Sequence, residues 1–386
     1  MPGALSHIKV VDLTSNLSGP YCAMLLADQG ADVVKVERKG EGDVLRKTPP
    51  FINGESAPFM LWNRNKRSIE LDLKQPADLA LCKRLAQGAD VVIENWRPGV
   101  AERLGLGYQT LRRENPRLVY CSISGFGQTG PYAKRGGFDL IAQAMSGLMA
   151  VAGDEDGPPH RLPIAISDTS AGMYAAIGIL SALTARQVTG RGQQVDVSLY
   201  ESAISKGVYE AAYYFATDER PAKLGQQHRG SSPYQVFETK DGWLVLGAAQ
   251  QNLWRKACAV LGCEALIDDP RFRTKADRVK NNKALVALLQ ERFITGGTEE
   301  WFEKLDAVGI PAGPVKYHDE VFHDPHVLAR QMVVEVEHAA AGRQRTLGTP
   351  IKLSETPGGV CRPAPLLGQH SDEIRAELSA RDEAAE

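Results

Sequence analysis

The sequence predicts an α/β fold in which a large domain on an open parallel sheet is joined to a smaller α+β domain. Three observations carry that prediction. Short β-branched runs alternate with helix-length segments from residue 8 to residue 127, and strands separated by such helices pair in parallel with helices on both faces. At 386 residues the chain exceeds one small core and fits a large domain plus a smaller one. After Arg186 the alternation gives way to a polar stretch, a hairpin and a run of helices.

Each element is read from its residues. "IKVVDLT" (8–14) is a β-branched strand, "GPYCAMLLADQGA" (19–31) a helix and "DVVKVER" (32–38) a second strand. The pattern returns with the helix "LALCKRLAQGA" (79–89) and the strands "DVVIENW" (90–96) and "RLVYCSISGFG" (117–127). "TGRGQQVDVSLYESAI" (189–204) reads as turn, strand and helix start. "ATDERPAKLGQQHRGSSPYQ" (216–235) lacks periodicity and reads as a linker. "VFETKDGWLVLGAA" (236–249) is a hairpin about a Lys-Asp-Gly turn, with helices expected from Asn252 to Leu289 and from Thr298 to Val308. The expected organisation is therefore a large domain beginning at 1–215, a linker at 216–235 and a small domain at 236–325. Residues 326–386 form a linker and a return to the large domain, ending in a frayed tail, "SARDEAAE" (379–386).

Composition narrows the function. A formal net charge of −2 supplies no general attraction to nucleic acid or to an anionic membrane, so any anionic ligand must be held by local basic groups. The six cysteines are scattered without a C-x-x-C pair, against a zinc ribbon or disulfide framework. "MPGALSHIKVVDLTSN" lacks a signal-like apolar core and no apolar run is of membrane-spanning length, so a cytoplasmic compartment is expected.

Several motifs carry chemistry on first sight. "GFGQTG" (125–130) matches the dinucleotide fingerprint after a strand, but Pro131 and the polar "YAKRGGFD" follow where a phosphate-facing helix is required. A strand-end loop is the better reading. "HDEVFHDPH" (318–326) gathers His318, His323 and His326, yet Pro325 breaks any helical face on which they would converge; no metal site is expected. Basic residues cluster at strand ends: Arg38 and Lys39, then Arg64, Lys66, Arg67 and Lys74, then Arg97 and Arg103. In an open parallel sheet ligands bind outside the carboxyl ends of the strands, where such groups can neutralise phosphates.

Asp168 stands alone between a short apolar run and the long helical stretch "TSAGMYAAIGILSALTAR". As an N-cap it would accept backbone N–H bonds worth about 1 kcal/mol. As a nucleophile with an ordinary pKa of about 3.9 it would be ionised at neutral pH without a helper base. Local physics ranks the cap above the nucleophile. Gly172, Gly178 and the alanines make this helix slim enough for close packing.

Together the blocks "VVDLTSNLSGPYCAMLLADQGADVVKVER", "WNRNKRSIELDLK", "ADVVIENWRPGVAERLGLGY", "SISGFGQTGPYAKRGGFDLIAQAMSGLM" and "ISDTSAGMYAAIGILSAL" resemble the class III (CaiB/BaiF) CoA-transferase family over nearly the whole chain. The resemblance implies a Rossmann-like large domain built from both chain ends, a small domain and an interlocked homodimer. It implies a CoA thioester as substrate rather than a permanently bound cofactor, with a free carboxylic acid as the second substrate. Asp168 is then the catalytic nucleophile. The implied CoA contacts are Arg38, Leu71, Asp72, Leu73, Lys74, Asn95, Trp96, Arg97, Arg103, Lys134, Arg135, Phe138 and Asp139.

Formyl-CoA:oxalate enzymes are similar but carry Gln where Leu17 stands and a glycine run where "GAAQQ" (247–251) stands. Leu17, Gly247, Ala248, Ala249 and Gln250 are therefore the implied acid-binding positions, and the departure favours a larger acid such as a dicarboxylate, with succinyl-CoA as donor. The α-methylacyl-CoA racemases of the same fold pair the Asp with a His, where this chain has Phe138. Racemisation needs an acid and a base on opposite faces of the α-carbon, and Phe carries no proton. A racemase is the alternative enzyme and a non-catalytic acyl-CoA-binding protein the alternative outside catalysis.

Overall fold

Valines at successive positions, Val10–Val11, Val33–Val34 and Val91–Val92, point to opposite faces of a sheet, so each strand needs apolar cover on both sides. The computed structural model, which describes residues 3–383, supplies that cover. Strands β1 (Lys9–Asp12), β2 (Asp32–Arg38), β5 (Lys66–Leu71), β6 (Val91–Glu94), β7 (Val119–Ser124) and β8 (Gln194–Ser198) form one parallel sheet. A two-residue hairpin, β3 (Phe51–Ile52) and β4 (Glu55–Ser56), sits between β2 and β5 in sequence. The order across the sheet is β5-β2-β1-β6-β7-β8, the doubly wound Rossmann order with its reversal between β1 and β6. On one face Val10, Val33, Val91 and Ile123 pack with the helices Ser18–Asp28 and Ile166–Thr189. On the other, Val11, Val34, Ile69 and Val92 pack with Pro76–Gln87 and Ser371–Glu383.

The chain divides into two units, the first made of Met1–Leu148, Leu162–Lys206 and Pro325–Glu386, the second of Met149–Arg161 and Gly207–Asp324. The second unit has its own sheet, β11-β10-β9, from β9 (Tyr234–Glu238), β10 (Trp243–Gly247) and β11 (Ala312–Pro314). Its core gathers Phe237, Leu244, Leu246, Trp254, Leu289 and Phe293. β9 and β10 pair antiparallel with Glu238 opposite Trp243, the hairpin expected from the Lys-Asp-Gly turn. In the first unit β12 (Val333–His338) and β13 (Gly342–Leu347) form a further hairpin.

Three boundaries differ from expectation. The helix Val208–Thr217, placed by sequence at the end of the first domain, belongs to the second unit, as does Met149–Arg161. The linker read at 216–235 is shorter, because the helix runs to Thr217 and β9 begins at Tyr234. The tail is helical as far as Glu383, since Ile374 and Leu378 are buried against the sheet and anchor its helix, and residues 384–386 lie outside the described residues. No helix among the described residues is long and apolar enough to cross a membrane.

Candidate active site

The reversal between β1 and β6 opens a crevice at the carboxyl ends of the strands, and the chain leaving β1 crosses it as the turn 13–18. Buried polar side chains fasten that turn residue by residue. Asp12 accepts from the Thr14 amide at 2.9 Å, and the fully buried Lys35 ammonium donates to the Thr14 carbonyl at 2.9 Å. Asn95 bridges from β6, accepting from the Ser15 amide at 3.0 Å and donating to the Ser15 carbonyl at 2.8 Å. The Asn16 amide donates to Asp43 at 3.0 Å, with Asn16 in the left-handed region at φ 69°. Lys35 pairs with Asp43 at 2.8 Å, and Lys66 bonds Asp12, the Pro20 carbonyl and Asn63, each at 2.9 Å. Burial alone would raise Asp12, but Lys66 and Lys35 hold it down to about 2. Burial lowers Lys66 to about 8 against the pull of Asp12.

This fastened turn delivers Leu17 and Ser18 to the start of the Ser18–Asp28 helix. That helix meets the Ile166–Thr189 helix at Gly172, where a Cβ would lie 2.7 Å from the Ser18 carbonyl and 2.9 Å from the Tyr21 ring. Only glycine permits the approach. Asp168 is one turn before Gly172 on the same helix face, beside the Ser18 side chain, which favours its ionised form.

Asp168 is not the N-cap that local physics favoured. The cap position is Ala165, and Asp168 is the third helical residue. The helix start is satisfied without it. The Ile166 amide donates to the Ile164 carbonyl and Thr169 to the Ala165 carbonyl, while Ser167 and Asp168 donate to Asp139 Oδ1 at 2.7 and 3.3 Å. Asp139, on the neighbouring helix Asp139–Met145, therefore caps the Asp168 helix from outside; its Oδ2 accepts from Gln143 at 2.7 Å. The expectation of an ordinary pKa for Asp168 is also overturned. Burial, then the charge of Asp139, push it up to about 7, with Ser18 opposing.

The strand-end basic residues divide into two groups. Arg64, Lys66 and Arg67 are buried and held by Asp28, by Asp12, and by Asp32 with Glu373 and Glu377. They carry the fold and are not available to phosphates, contrary to expectation. Arg38, Lys74, Arg97 and Arg103 are exposed. Of the implied CoA contacts, Arg38, Leu71, Asp72, Leu73, Lys74 and Trp96 line a cleft of about 390 Å³ at the ends of β1, β2, β5 and β6. Thr14 and Ser15 line the same cleft, so one turn serves both the cleft and Asp168. Asn95 acts on that turn instead. Glu94 beneath it, pushed up to about 7 by burial, accepts from the Trp96 amide at 2.9 Å and fixes the chain leaving β6.

Of the remaining implied contacts, Arg103 is on the helix Val100–Leu104, and Lys134, Arg135 and Phe138 lie on the loop before Asp139. Gly125 and Gly137 touch backbone to backbone, a Cβ on Gly125 falling 2.7 Å from Gly137 Cα. The first glycine of "GFGQTG" thus serves loop-to-loop packing rather than a dinucleotide. Arg97 reaches this loop, its Nη2 lying 3.1 Å from where a Gly136 Cβ would be. Lys134 is exposed, Arg135 stacks on Tyr132 at 3.9 Å, and Phe138 is 69% exposed as the cap residue of the Asp139 helix.

In the second unit, Gly247 ends β10 and Gln250 caps the helix Gln251–Leu261. The Ala248 methyl is buried in that unit's core, so it supports the loop and offers no surface to a ligand. The buried Arg278 donates to the Ala249 carbonyl at 2.7 Å and to the Ser232 carbonyl and Gln251 Oε1 at 3.0 Å, which fixes the loop from beneath. Among the described residues no group of three or more His, Cys, Asp or Glu side chains is placed to hold a metal ion. His318 and His326 are exposed on two short helices, His318–Val321 and Pro325–Ala329, and His323 is exposed in the turn between them. Sequence reasoning missed Ser18, Gln143, Lys35 and Asp43. Their only sequence signal is a polar residue in an otherwise apolar element, which does not say which partner it meets.

Comparison with known proteins places the chain in a family. Residues 5–371 match CoA-transferase family III. The chain is 40% identical to the mouse succinyl-CoA:glutarate CoA-transferase over 99% of its length and 88% of that protein. It is 38% identical to the succinate–glutarate CoA-transferase of Agrobacterium fabrum, over 99% and 97%. Its fold matches the crystal structure of a CaiB/BaiF family protein from Brucella suis with a TM-score of 0.88 at 37% identity, covering 98% of this chain and all of that one.

Proposed function

The chain belongs to CoA-transferase family III, and from that premise we propose that Asp168 carries CoA from succinyl-CoA to a dicarboxylic acid. The enzyme is a CoA-transferase: it exchanges a thioester between two carboxylic acids. In our reading the ionised Asp168 carboxylate attacks the donor thioester carbonyl, the C–S bond breaks, and CoA thiolate leaves a mixed anhydride. The thiolate then attacks the aspartyl carbonyl of the anhydride, which frees the donor carboxylate and leaves an aspartyl-CoA thioester. The acceptor carboxylate runs the two steps in reverse order and restores Asp168. Each exchange is between species of similar energy, which is what covalent catalysis offers here.

The single observation that supports Asp168 as nucleophile is its isolation. Every amide of its helix start has another partner, so the carboxylate faces Ser18 with no structural task of its own. The cleft lined by Arg38, Lys74 and Trp96 suits a nucleotide with phosphates, its apolar wall taking the ring and its rim cations the charge. Leu17 in the first unit, and Gly247, Ala249 and Gln250 in the second, are the proposed acid-binding positions. A racemase lacks support: Phe138 has no proton to give, and Asp139 is engaged by two amides and Gln143.

We also infer a homodimer, supported by Met173, Ile177 and Leu180 exposed at helical spacing on the Asp168 helix, and a reducing, cytoplasmic setting, supported by six free thiols. The test is intact-protein mass with hydroxylamine trapping after mixing with succinyl-, acetyl- and formyl-CoA, in wild type and Asp168→Ala. Succinyl-CoA should give a hydroxamate at Asp168 and pass CoA to glutarate but not to oxalate. No adduct from any donor, with α-proton exchange into deuterated water, would overturn the transfer chemistry.

A further inference from the structure

An acidic residue at the third position of a helix ordinarily bends back to the free amides at the helix start, where N–H groups and dipole stabilise its charge. Here that place is taken. Asp139 Oδ1 accepts from both Ser167 and Asp168 amides, and the Ser167 hydroxyl reaches the Asp139 carbonyl at 3.4 Å. Gln143 orients the capping carboxylate. Its Nε2 donates to Asp139 Oδ2 at 2.7 Å, and its Oε1 accepts from the Leu162 amide at 2.9 Å, so the buried amide cannot turn over without losing a bond.

We propose that Asp139 is a positioning residue for the nucleophile: by capping the Asp168 helix from a separate helix, it denies Asp168 its own helix amides and holds a second negative charge beside it. Asp168 is thereby left with the Ser18 side chain and without an amide of its own helix. The inference rests on Asp168 as nucleophile only for its kinetic consequence; the electrostatic one stands without it. A less stabilised carboxylate keeps its proton to higher pH and is the stronger nucleophile once ionised.

The other elements packed on this helix carry few groups that compete. On the Ser18–Asp28 helix, Tyr21 faces Gly172 and Cys22 is a buried thiol. Glu201, on the helix Leu199–Ile204, accepts from the Ser198 hydroxyl at 2.6 Å; Asp196, on β8, accepts from the Gln128 amide at 3.0 Å; β7 presents the buried Cys121. Asp139 is the charged group that acts on Asp168.

The experiment is a carboxyl carbon NMR titration of aspartate-labelled, ligand-free protein, with Asp168 assigned by its loss in Asp168→Asn. In Asp139→Asn, which keeps an oxygen acceptor for the amides and removes the charge, the Asp168 midpoint should fall by about one pH unit or more. The acid limb of kcat/KM for the acyl donor should move down with it. Gln143→Met is the counter-test: it loosens the same carboxylate but leaves its charge, so the midpoint should stay or rise. An unchanged midpoint in Asp139→Asn, or the same downward shift in both variants, would overturn the proposal. Because the titration needs no substrate, a shifted midpoint in a protein that no donor acylates would sink the nucleophile assignment and leave this one standing.

Discussion

At the scale of single residues, Asp168 is a carboxyl whose proton is bound more tightly in the folded protein than in the unfolded chain, about 7 against 3.8. The sign of the pH dependence follows. Below the unfolded value both states are protonated and the group is neutral in its effect. As pH rises toward 7 the unfolded chain ionises while the folded one resists, so stability falls, and the loss levels off above 7. Asp168→Asn escapes this loss. Thermal melts should therefore show it more stable than wild type at pH 8, by roughly 2 kcal/mol after allowing for partial exposure, with the difference shrinking toward pH 4. The same variant should form no covalent adduct. Stability gained where activity is lost is the behaviour expected of a strained functional group. A destabilised Asp168→Asn at pH 8 would instead show that the fold stabilises the ionised carboxylate.

At the scale of elements, two glycines on one helix should behave differently. At Gly172 a methyl would meet the Ser18 carbonyl and the backbone amide of Cys22, neither of which can move without moving the helix. At Gly178 the obstacle is Val195 Cγ1 at 2.6 Å, a half-buried side chain that can rotate. Gly172→Ala should cost about 1–3 kcal/mol by overpacking and lower kcat at least tenfold, because Ser18 is pushed from Asp168. Gly178→Ala should retain wild-type kcat. Equal kcat in the two variants would show that the Ser18–Asp168 approach is not needed. The turn 13–18 belongs to this scale as well. Asp12, Lys35, Asp43 and Lys66 form a buried charged network in which every member needs its partners, and what it holds in place is the turn shared by the cleft and Asp168.

At the scale of the whole molecule, the sheet order puts β1 and β6 side by side and so creates the crevice, while the second unit builds the Gly247–Gln250 loop on a separate core. The exposed Met173, Ile177 and Leu180 predict self-association. Light scattering should give twice the mass of one chain, and Ile177→Glu should lower it if this face is the contact. A monomer at assay concentration would remove the dimer reading.

The sequence by itself determined the alternation of strands and helices, the parallel sheet and the hairpin at Lys240-Asp241-Gly242, because these are set by local periodicity and by turn chemistry. It also presented Gly172 and Gly178 as contact points. Tertiary structure alone decided which charges are buried. Lys66 and Arg67 read like Arg38 and Lys74 in the chain, yet the first pair is buried on partners 54 and 35 residues or more away, Asp12 and Asp32, while the second stays in solvent. It alone decided which carboxylate caps the long helix, since Asp139 reaches Ser167 across 28 residues. Burial and ion pairing depend on what the fold brings near, and a residue's sequence neighbours do not contain that information. The raised pKa of Asp168 is therefore a property of the folded protein, although the residue that bears it was legible in the chain.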